Sequence, residues 1–169
     1  MDGKSGNYRI QMKKGLILGR FQPVHMGHLS LFETVIDNGE ELVICIGSSN
    51  EERTEKNPYS SSERINMIKA VLSNYKCKYA IYEIPDINNN NLYVKHLESM
   101  VPKFDVVYSG NSLVKKLFEE SGYNVIVPKL LNREVWQGVS IRQAMKDGDD
   151  WEMDVPAVVT EIISEIKLS

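Results

Sequence analysis

Apolar residues recur along the chain in short blocks, and the blocks alternate between two kinds of spacing. Continuous apolar runs, such as 16–18 and 42–46, are typical of parallel strands that are covered on both faces. Other blocks repeat apolar residues every three or four positions, as between His28 and Asp37, and this spacing predicts amphipathic helices. The pattern therefore predicts strands and helices in alternation along the whole chain.

The predicted elements form an ordered series. Strands are predicted at 16–18, 42–46, 79–84, 105–108 and 123–127. Helices are predicted at 28–37, after the capping-box spacing of Ser60 and Glu63, at 93–100, 111–121 and 140–146, and along the final apolar stripe from Val155 to Ile166. This order predicts an α/β fold, a doubly wound parallel sheet of about five strands with right-handed connections. Ligands of such sheets bind where the strand order reverses, so the loops after strands one, four and five are expected to carry the function.

Composition narrows the class of protein. The 169 residues fit one domain, predicted at 15–169 behind a polar tail at 1–14. The 20 basic and 23 acidic side chains give a net charge of −3, which disfavours a nucleic-acid binder. The sequence has no apolar run long enough for a membrane span and no apolar N-terminal segment typical of a secretory signal. Its 2 cysteines form no CxxC pair, and a cytoplasmic location is expected.

The loop after the first strand concentrates polar chemistry. It reads Gly19-Arg20-Phe21-Gln22-Pro23-Val24-His25-Met26-Gly27-His28. With His28 opening the helix, backbone N–H groups and the positive end of the helix dipole face this loop and favour an anion. His25 and His28 add imidazole donors, Arg20 adds a fixed charge, and Gly27 permits close approach of the backbone. The dipole disfavours a charged imidazole and a bound phosphate favours one. The loop therefore predicts a polyphosphate site.

Two other interpretations of the histidines remain. One imidazole could cap the helix while the other packs in the core, but this leaves the density of polar residues in the loop unexplained. A zinc site would need three or four protein ligands. His96 is the third and last histidine, and no cysteine or carboxylate stands at a convincing spacing. No protein-bound metal is predicted.

Two further loops follow predicted strands. After strand four, Ser109-Gly110-Asn111 offers small residues against which a nucleoside can lie, although a capped turn explains the same residues. After strand five, Ser140 is the predicted N-cap of a helix whose N–H groups could hold phosphate. Arg142 falls in the first turn, where a cation gains nothing from the helix dipole, and this favours a ligand role.

A polar stretch at 50–62 contains Lys56, which either reaches a ligand or is a solvated surface lysine.

The motif GRFQPVHMGH resembles the HxGH signature of Rossmann-like nucleotidyltransferases, and Ser140-Ile141-Arg142 resembles their second, helix-opening motif. From Gly15 onward the chain resembles the archaeal nicotinamide-nucleotide adenylyltransferases over nearly its full length. The YSGN turn, the NPYSSSER stretch and the acidic run before Trp151 fit the same group. The combination is more specific than HxGH alone, which indicates only the superfamily.

The resemblance implies transfer of AMP from ATP, with Mg²⁺, to nicotinamide mononucleotide, giving NAD and pyrophosphate. In this family the 5′-phosphate of the acceptor attacks the α-phosphorus directly, without a covalent enzyme intermediate. The residues agree, because no base-activated Ser or Cys nucleophile is evident. The implied partners are small molecules, with neither nucleic acid nor membrane, and a homo-oligomer, often a hexamer in archaea, is expected.

Site residues follow from the resemblance position by position. The phosphate-handling positions are Arg20, His25, His28 and Arg142, with Lys56 where archaeal relatives commonly have Arg. The other implied ATP-binding positions are Gly19, Phe21, Gln22, Gly27, Gly110, Asn111 and Ser140. Ile87, Asn90 and Tyr93 fall where the family binds the nicotinamide nucleotide, with Tyr in place of a more usual Trp. Val139 replaces a frequent Thr, which removes a hydroxyl contact.

Two alternatives remain open. The same chemistry occurs with other acceptors, namely nicotinate mononucleotide, FMN, phosphopantetheine, or a phospho-alcohol in cytidylyl transfer. A nucleotide-binding sensor without catalysis is the alternative from another class, although the intact histidine pair and Arg142 disfavour it.

Overall fold

A five-stranded parallel sheet with the strand order β3-β2-β1-β4-β5 organises the molecule in a computed structural model that describes residues 12–128 and 137–168. The strands are β1 (Lys14–Gly19), β2 (Glu41–Ile46), β3 (Tyr79–Glu83), β4 (Val106–Tyr108) and β5 (Val125–Ile126). The helices are α1 (Met26–Asp37), α2 (Ser61–Leu72), α3 (Asn90–Met100), α4 (Ser112–Glu120), α5 (Gly138–Asp147) and α6 (Ala157–Leu168), with a 3₁₀ turn at Glu152–Asp154. The α/β class and the sheet of five strands are confirmed.

Two hydrophobic cores lie on opposite faces of the sheet. Ile17 and Ile44 face one core, which α1, α2 and α6 cover with side chains such as Phe32, Ile68 and Val159. Successive strand residues point to opposite faces. Leu16, Val43 and Cys45 therefore face the second core, which α3 and α4 cover with Leu97 and Phe118. Helices on both faces make the sheet doubly wound and explain why its central strands are apolar throughout.

The strand order reverses between β1 and β4. From β1 the chain adds β2 and then β3 on one side, and it crosses back to place β4 and β5 on the other. Leu16 pairs with Val43 of β2 and with Val107 of β4, so β1 lies at the centre. The loops after β1 and β4 meet at this reversal, which is where a ligand of such a sheet binds.

The structure places several helix starts at other residues than the sequence pattern predicts. The start of α1 is Met26 rather than His28, because His25 occupies the capping position. The prediction of Ser140 as an N-cap is wrong: α5 begins at Gly138, and its N-cap Gln137 makes no side-chain capping bond. By contrast, Ser60 and Asn111 cap α2 and α4.

The start of β1 is the one place where the structure bears on the predicted division between tail and domain. Lys14, placed in the tail by its polarity, is the first residue of β1, where ladder bonds rather than side-chain polarity decide the structure. The rest of the predicted tail, residues 1–11, lies outside the described residues, so the division at 1–14 and 15–169 stays a prediction. Among the helices at 12–128 and 137–168, none combines the length and apolar character needed to cross a membrane.

The capping box of α2 gives a stability prediction. The Ser60 hydroxyl accepts from the N–H of Glu63, and the Glu63 carboxylate accepts from the N–H of Ser60. Ser60→Ala should lower the free energy of unfolding by about 1 kcal/mol, because one helix-terminal donor loses its acceptor. Urea denaturation measures the change. Ser164→Ala, at an exposed position inside α6, is the control and should stay within about 0.5 kcal/mol of the native chain. Equal stability of the two variants would contradict the capping role.

Candidate functional site

Two histidines cap the first helix. Nδ1 of His25 accepts a hydrogen bond from the Gly27 N–H at 3.1 Å, and Nδ1 of His28 accepts one from the His25 N–H at 3.1 Å. The pair forms a capping box, and the two imidazoles stack with their centroids 3.7 Å apart. The alternative interpretation of the sequence assigned one imidazole to a cap and the other to the core, whereas both imidazoles take part in the capping box.

The capping bonds also determine the protonation pattern of both rings. A ring nitrogen that accepts an N–H carries no proton, so the neutral tautomer of His25 and of His28 bears its proton on Nε2. Capping uses one side of each imidazole and leaves an Nε2–H donor on the other. Capping and ligand binding are thus compatible functions of the same side chain.

Both imidazoles are neutral near pH 7. Burial, with a further contribution from the positive charge of Arg142, lowers the pKa of His25 from 6.5 to about 4. Burial and the neighbouring His25 lower the pKa of His28 well below the ordinary value. A second positive charge on a stacked ring 3.7 Å away would add repulsion. The free site therefore presents two neutral N–H donors.

Buried contacts hold the loop between β1 and α1. The Gln22 side chain, 2% exposed, donates to the carbonyl of Tyr59 at 2.9 Å and accepts from the Tyr59 N–H at 2.9 Å. Phe21 lies at a φ of +54°, and its buried ring lies 4.4 Å from the His28 ring. A positive φ is costly for a bulky residue, and it persists here because the ring is buried against His28 and Phe32. Gln22 and Phe21 therefore position the histidines.

The two arginines supply the permanent charge. Nη1 of Arg142 donates to the Gln22 carbonyl at 2.9 Å, which ties α5 to the loop after β1 across 120 residues. Burial, followed by the charge of Arg20, lowers the pKa of Arg142, yet a guanidinium keeps its proton at neutral pH. No carboxylate at 12–128 or 137–168 forms an ion pair with Arg20 or Arg142, and two guanidinium groups close enough to interact favour an anionic ligand between them.

Three connected cavities surround Arg20. The histidine cavity, about 380 Å³, is lined by His25, His28, Arg142, the turn at 109–112 and residues 137–139. The cationic cavity, about 800 Å³, is lined by Lys56, Tyr59, Arg142 and Lys146, and by Glu55, which pairs with Lys146 at 3.1 Å. The tyrosine cavity, about 340 Å³, is lined by Asp86, Asn90, Tyr93, Asn111 and the start of α4. Arg20 lines all three, so its side chain is within reach of a group bound in any of them.

Most of the predicted site residues line these cavities. The histidine cavity brings together Arg20, Phe21, Gln22, His25, His28, Gly110, Asn111 and Arg142. Gly19, Asn90 and Tyr93 line the tyrosine cavity, and Lys56 lines the cationic one. Gly27 gives its N–H to the His25 ring. Ser140 is exposed in the first turn of α5, and Ile87 is half-buried beside Asp86.

Arg64 is a buried residue of the site to which the sequence analysis assigned no role. Its side chain is fully buried in α2 and donates to the backbone carbonyls of Arg20, Gly47, Ser48, Glu51 and Ser60 at 2.9–3.3 Å. One guanidinium thus fixes the end of β1 and the loop after β2. Its sequence signal is positional, since Arg64 stands four residues before Ile68 and seven before Val71 on the apolar face of α2.

The described residues offer no protein-built metal centre. At 12–128 and 137–168, no three His, Cys, Asp or Glu side chains lie together in a way that could hold an ion. The donor chemistry of the cavities is instead cationic and neutral N–H, which suits phosphate oxygens. A divalent ion at this site is expected to arrive with a nucleotide.

Comparison with known proteins agrees with this geometry. Residues 16–160 match the Cytidylyltransferase-like family. The chain is similar to the nicotinamide-nucleotide adenylyltransferase of Pyrococcus furiosus, at 44% identity over 160 residues, 92% of this chain and 85% of that protein. It is also similar to the enzyme of that name from Methanococcus aeolicus, at 42% identity over 153 residues, 90% of this chain and 89% of that protein.

A solved structure shares the fold. The bifunctional NMN adenylyltransferase/ADP ribose pyrophosphatase of Francisella tularensis, crystallised with AMP and a manganese ion, superposes with a TM-score of 0.68 at 20% identity. The match covers 86% of this chain and 44% of that longer one, so this chain corresponds to less than half of the bifunctional protein. At this identity the likeness concerns the fold alone.

The buried histidines make stability depend on pH. The unfolded chain protonates His25 near pH 6.5, whereas the folded chain does so only near 4. Because the unfolded state binds more protons in this interval, the free energy of unfolding should fall by about 2 kcal/mol from His25 between pH 7 and pH 5. Urea denaturation at both pH values measures the drop. His25→Asn keeps a capping oxygen without titrating, and its drop should be smaller. Equal drops in both proteins would contradict the neutral, buried His25.

Proposed function

The chain belongs to the cytidylyltransferase-like family and, within it, to the nicotinamide-nucleotide adenylyltransferases, and on that basis we propose that it transfers AMP from ATP to nicotinamide mononucleotide, forming NAD and pyrophosphate. The observation that carries the proposal is that Arg20 lines all three cavities and that the histidine cavity shares further lining residues with each of the other two. A donor phosphate, an acceptor phosphate and a leaving group each require a separate approach to one centre.

The α-phosphate of ATP would lie in the histidine cavity. Adenosine fits against the small residues of the turn at 109–112 and the start of α5, which line the same cavity. The Nε2–H groups of His25 and His28 then donate to phosphate oxygens, and Arg142, held by the Gln22 carbonyl, adds charge. Because the backbone orients these donors before substrate arrives, little reorganisation is needed as charge develops.

The acceptor nucleotide would lie in the tyrosine cavity, and the leaving pyrophosphate would lie in the cationic cavity. Among the residues that the structure describes, the tyrosine and cationic cavities have only Arg20 in common, which favours separate routes to the centre. An oxygen of the acceptor phosphate enters from the tyrosine cavity and bonds to the α-phosphorus. The bond to the bridging oxygen breaks, and pyrophosphate departs toward Lys56, Arg142 and Lys146. This arrangement favours in-line displacement, for which positioning is the main requirement.

The metal belongs to the substrate in this proposal. Mg²⁺ enters bound to ATP and is held by phosphate oxygens, in agreement with the phosphate-directed donors of the cavities. The crystallisation of the Francisella tularensis neighbour with AMP and manganese supports use of a divalent ion. Assembly into a homo-oligomer, a hexamer among the options, and a cytoplasmic location stay proposals drawn from the family.

A pyrophosphate-release assay with Mg²⁺ and ATP tests the proposed function. Nicotinamide mononucleotide should release pyrophosphate, and NAD should be identified as the product by chromatography. FMN and phosphopantetheine serve as control acceptors and should give no release. Release only with one of these controls would replace the proposed acceptor, whereas ATP binding without release from any acceptor would favour a sensor.

The role of His28 can be separated from simple binding. Its Nε2–H serves a phosphate on which charge builds up, so His28→Ala should reduce kcat by about 10²- to 10³-fold. The Kd for nicotinamide mononucleotide, measured by calorimetry, should change less than about threefold, because the acceptor ring lies in another cavity. His28→Asn keeps an acceptor for the His25 N–H and controls for loss of the cap. An equal loss in kcat and in acceptor affinity would show that His28 acts as a binding group only.

A further inference from the structure

The tyrosine cavity has two chemically different ends. Leu18, Arg20 and Asn111 also line the histidine cavity, so they mark the end near the reacting phosphates. Asp86, Asn90 and Tyr93 line only the tyrosine cavity, so they mark the far end. Among the described residues, the lining has one carboxylate, Asp86 at the far end, and one cation, Arg20 at the near end.

We propose that Asp86 selects a nicotinamide over a nicotinate nucleotide by repelling the ring carboxylate of the latter. The inference rests on the proposed function, which places the acceptor phosphate near Arg20 and its ring near Tyr93. Both rings carry the positive charge of the pyridinium, but nicotinate adds a negative carboxylate that a neutral carboxamide lacks. Among the described residues that line the far end, none is a cation with which that carboxylate could pair, and Asp86 places a like charge nearby.

Contacts of the loop after β3 fix the position of Asp86. Its backbone N–H donates to Oδ1 of Asn50 at 3.2 Å, which ties this loop to the loop after β2. Burial first, and then the Cys45 and Asp86 side chains, raise the pKa of Tyr93 to about 12. The Asp86 carboxylate is therefore near enough to act on groups around the Tyr93 ring, which remains a neutral phenol at pH 7.

The N-termini of α3 and α4 lie at the same cavity, and their partial positive charges oppose this preference. A helix N-terminus carries about half an elementary charge, which favours an anion. The Asn89 side chain already accepts from the N–H of Asn91, and the Asn111 side chain accepts from the N–H groups of Leu113 and Val114. These caps take up donors that a carboxylate would otherwise use. Asn111 marks the near end, so only the N-terminus of α3, with about half an elementary charge, opposes the full negative charge of Asp86 at the far end.

The test is the ratio of kcat/KM for nicotinamide mononucleotide to that for nicotinate mononucleotide. The native chain should favour the nicotinamide form, and Asp86→Asn should shift the ratio about 3- to 10-fold toward nicotinate, as expected for one charge contact at a partly exposed site. Asp86→Ser should shift it in the same direction. Glu120→Gln removes the same charge at the C-terminal end of α4 and should leave the ratio unchanged. Raising the salt concentration should reduce the native preference, because exposed charges are screened.

The outcomes separate the inference from the function on which it rests. If neither nucleotide is adenylylated by the native chain, the proposed function fails and the inference fails with it. If the native chain forms NAD but both Asp86 variants keep the ratio seen with Glu120→Gln, the function stands and the role of Asp86 is refuted. A matching shift in Glu120→Gln would likewise refute it, since net charge rather than the position of Asp86 would then set the preference.

Discussion

The N–H groups of His25 and Gly27 at the start of α1 determine the chemistry of this protein. Each donates to Nδ1 of an imidazole, and this one constraint fixes the tautomer, orientation and stacking of His25 and His28. Burial then keeps both rings neutral at the pH where the protein is expected to work. The positive charge of the site comes from Arg20 and Arg142 instead. Division of the work between neutral donors and permanent cations suits a centre that must bind phosphate and also release it.

The rest of the fold holds the start of α1 at the point where the strand order reverses, between β1 and β4. Gln22 joins the loop after β1 to the segment before α2, and Arg142 joins the same loop to α5. Arg64 donates to five backbone carbonyls, and no carboxylate in the described part of the chain forms an ion pair with it, so peptide dipoles lie nearest to its buried charge. Elements far apart in sequence therefore converge on the loop at 19–25.

Periodicity was sufficient to predict the fold and to indicate the edge of the sheet at which the candidate site lies. Parallel strands and amphipathic helices leave local signals, and the rule for strand reversal turns them into a place for ligands. The capping box at Ser60 and the cap at Asn111 were also local, and both are present. The HxGH resemblance added the candidate phosphate-handling residues, and Arg20, His25, His28, Arg142 and Lys56 all line the cavities around Arg20.

The remaining features depend on tertiary contacts and could not be inferred from local pattern. His28 looked like the first residue of a helix, because an imidazole at the N-cap is an uncommon choice beside Ser, Thr, Asp or Asn. Ser140 looked like a cap, yet α5 begins two residues earlier, where Gly138 leaves space for the Arg142 guanidinium. The five carbonyl groups that accept from Arg64 could not be predicted either, because they come from three separate segments of the chain.

The protonation pattern of the histidine pair is the most direct test of this account. Long-range ¹H–¹⁵N NMR of the ¹⁵N-labelled protein at pH 7 reports which nitrogen of each ring carries the proton. The account predicts that His25 and His28 are both neutral, with the proton on Nε2 and an unprotonated Nδ1. A proton on Nδ1 of either ring, or a charged imidazolium in the free protein at this pH, would contradict it.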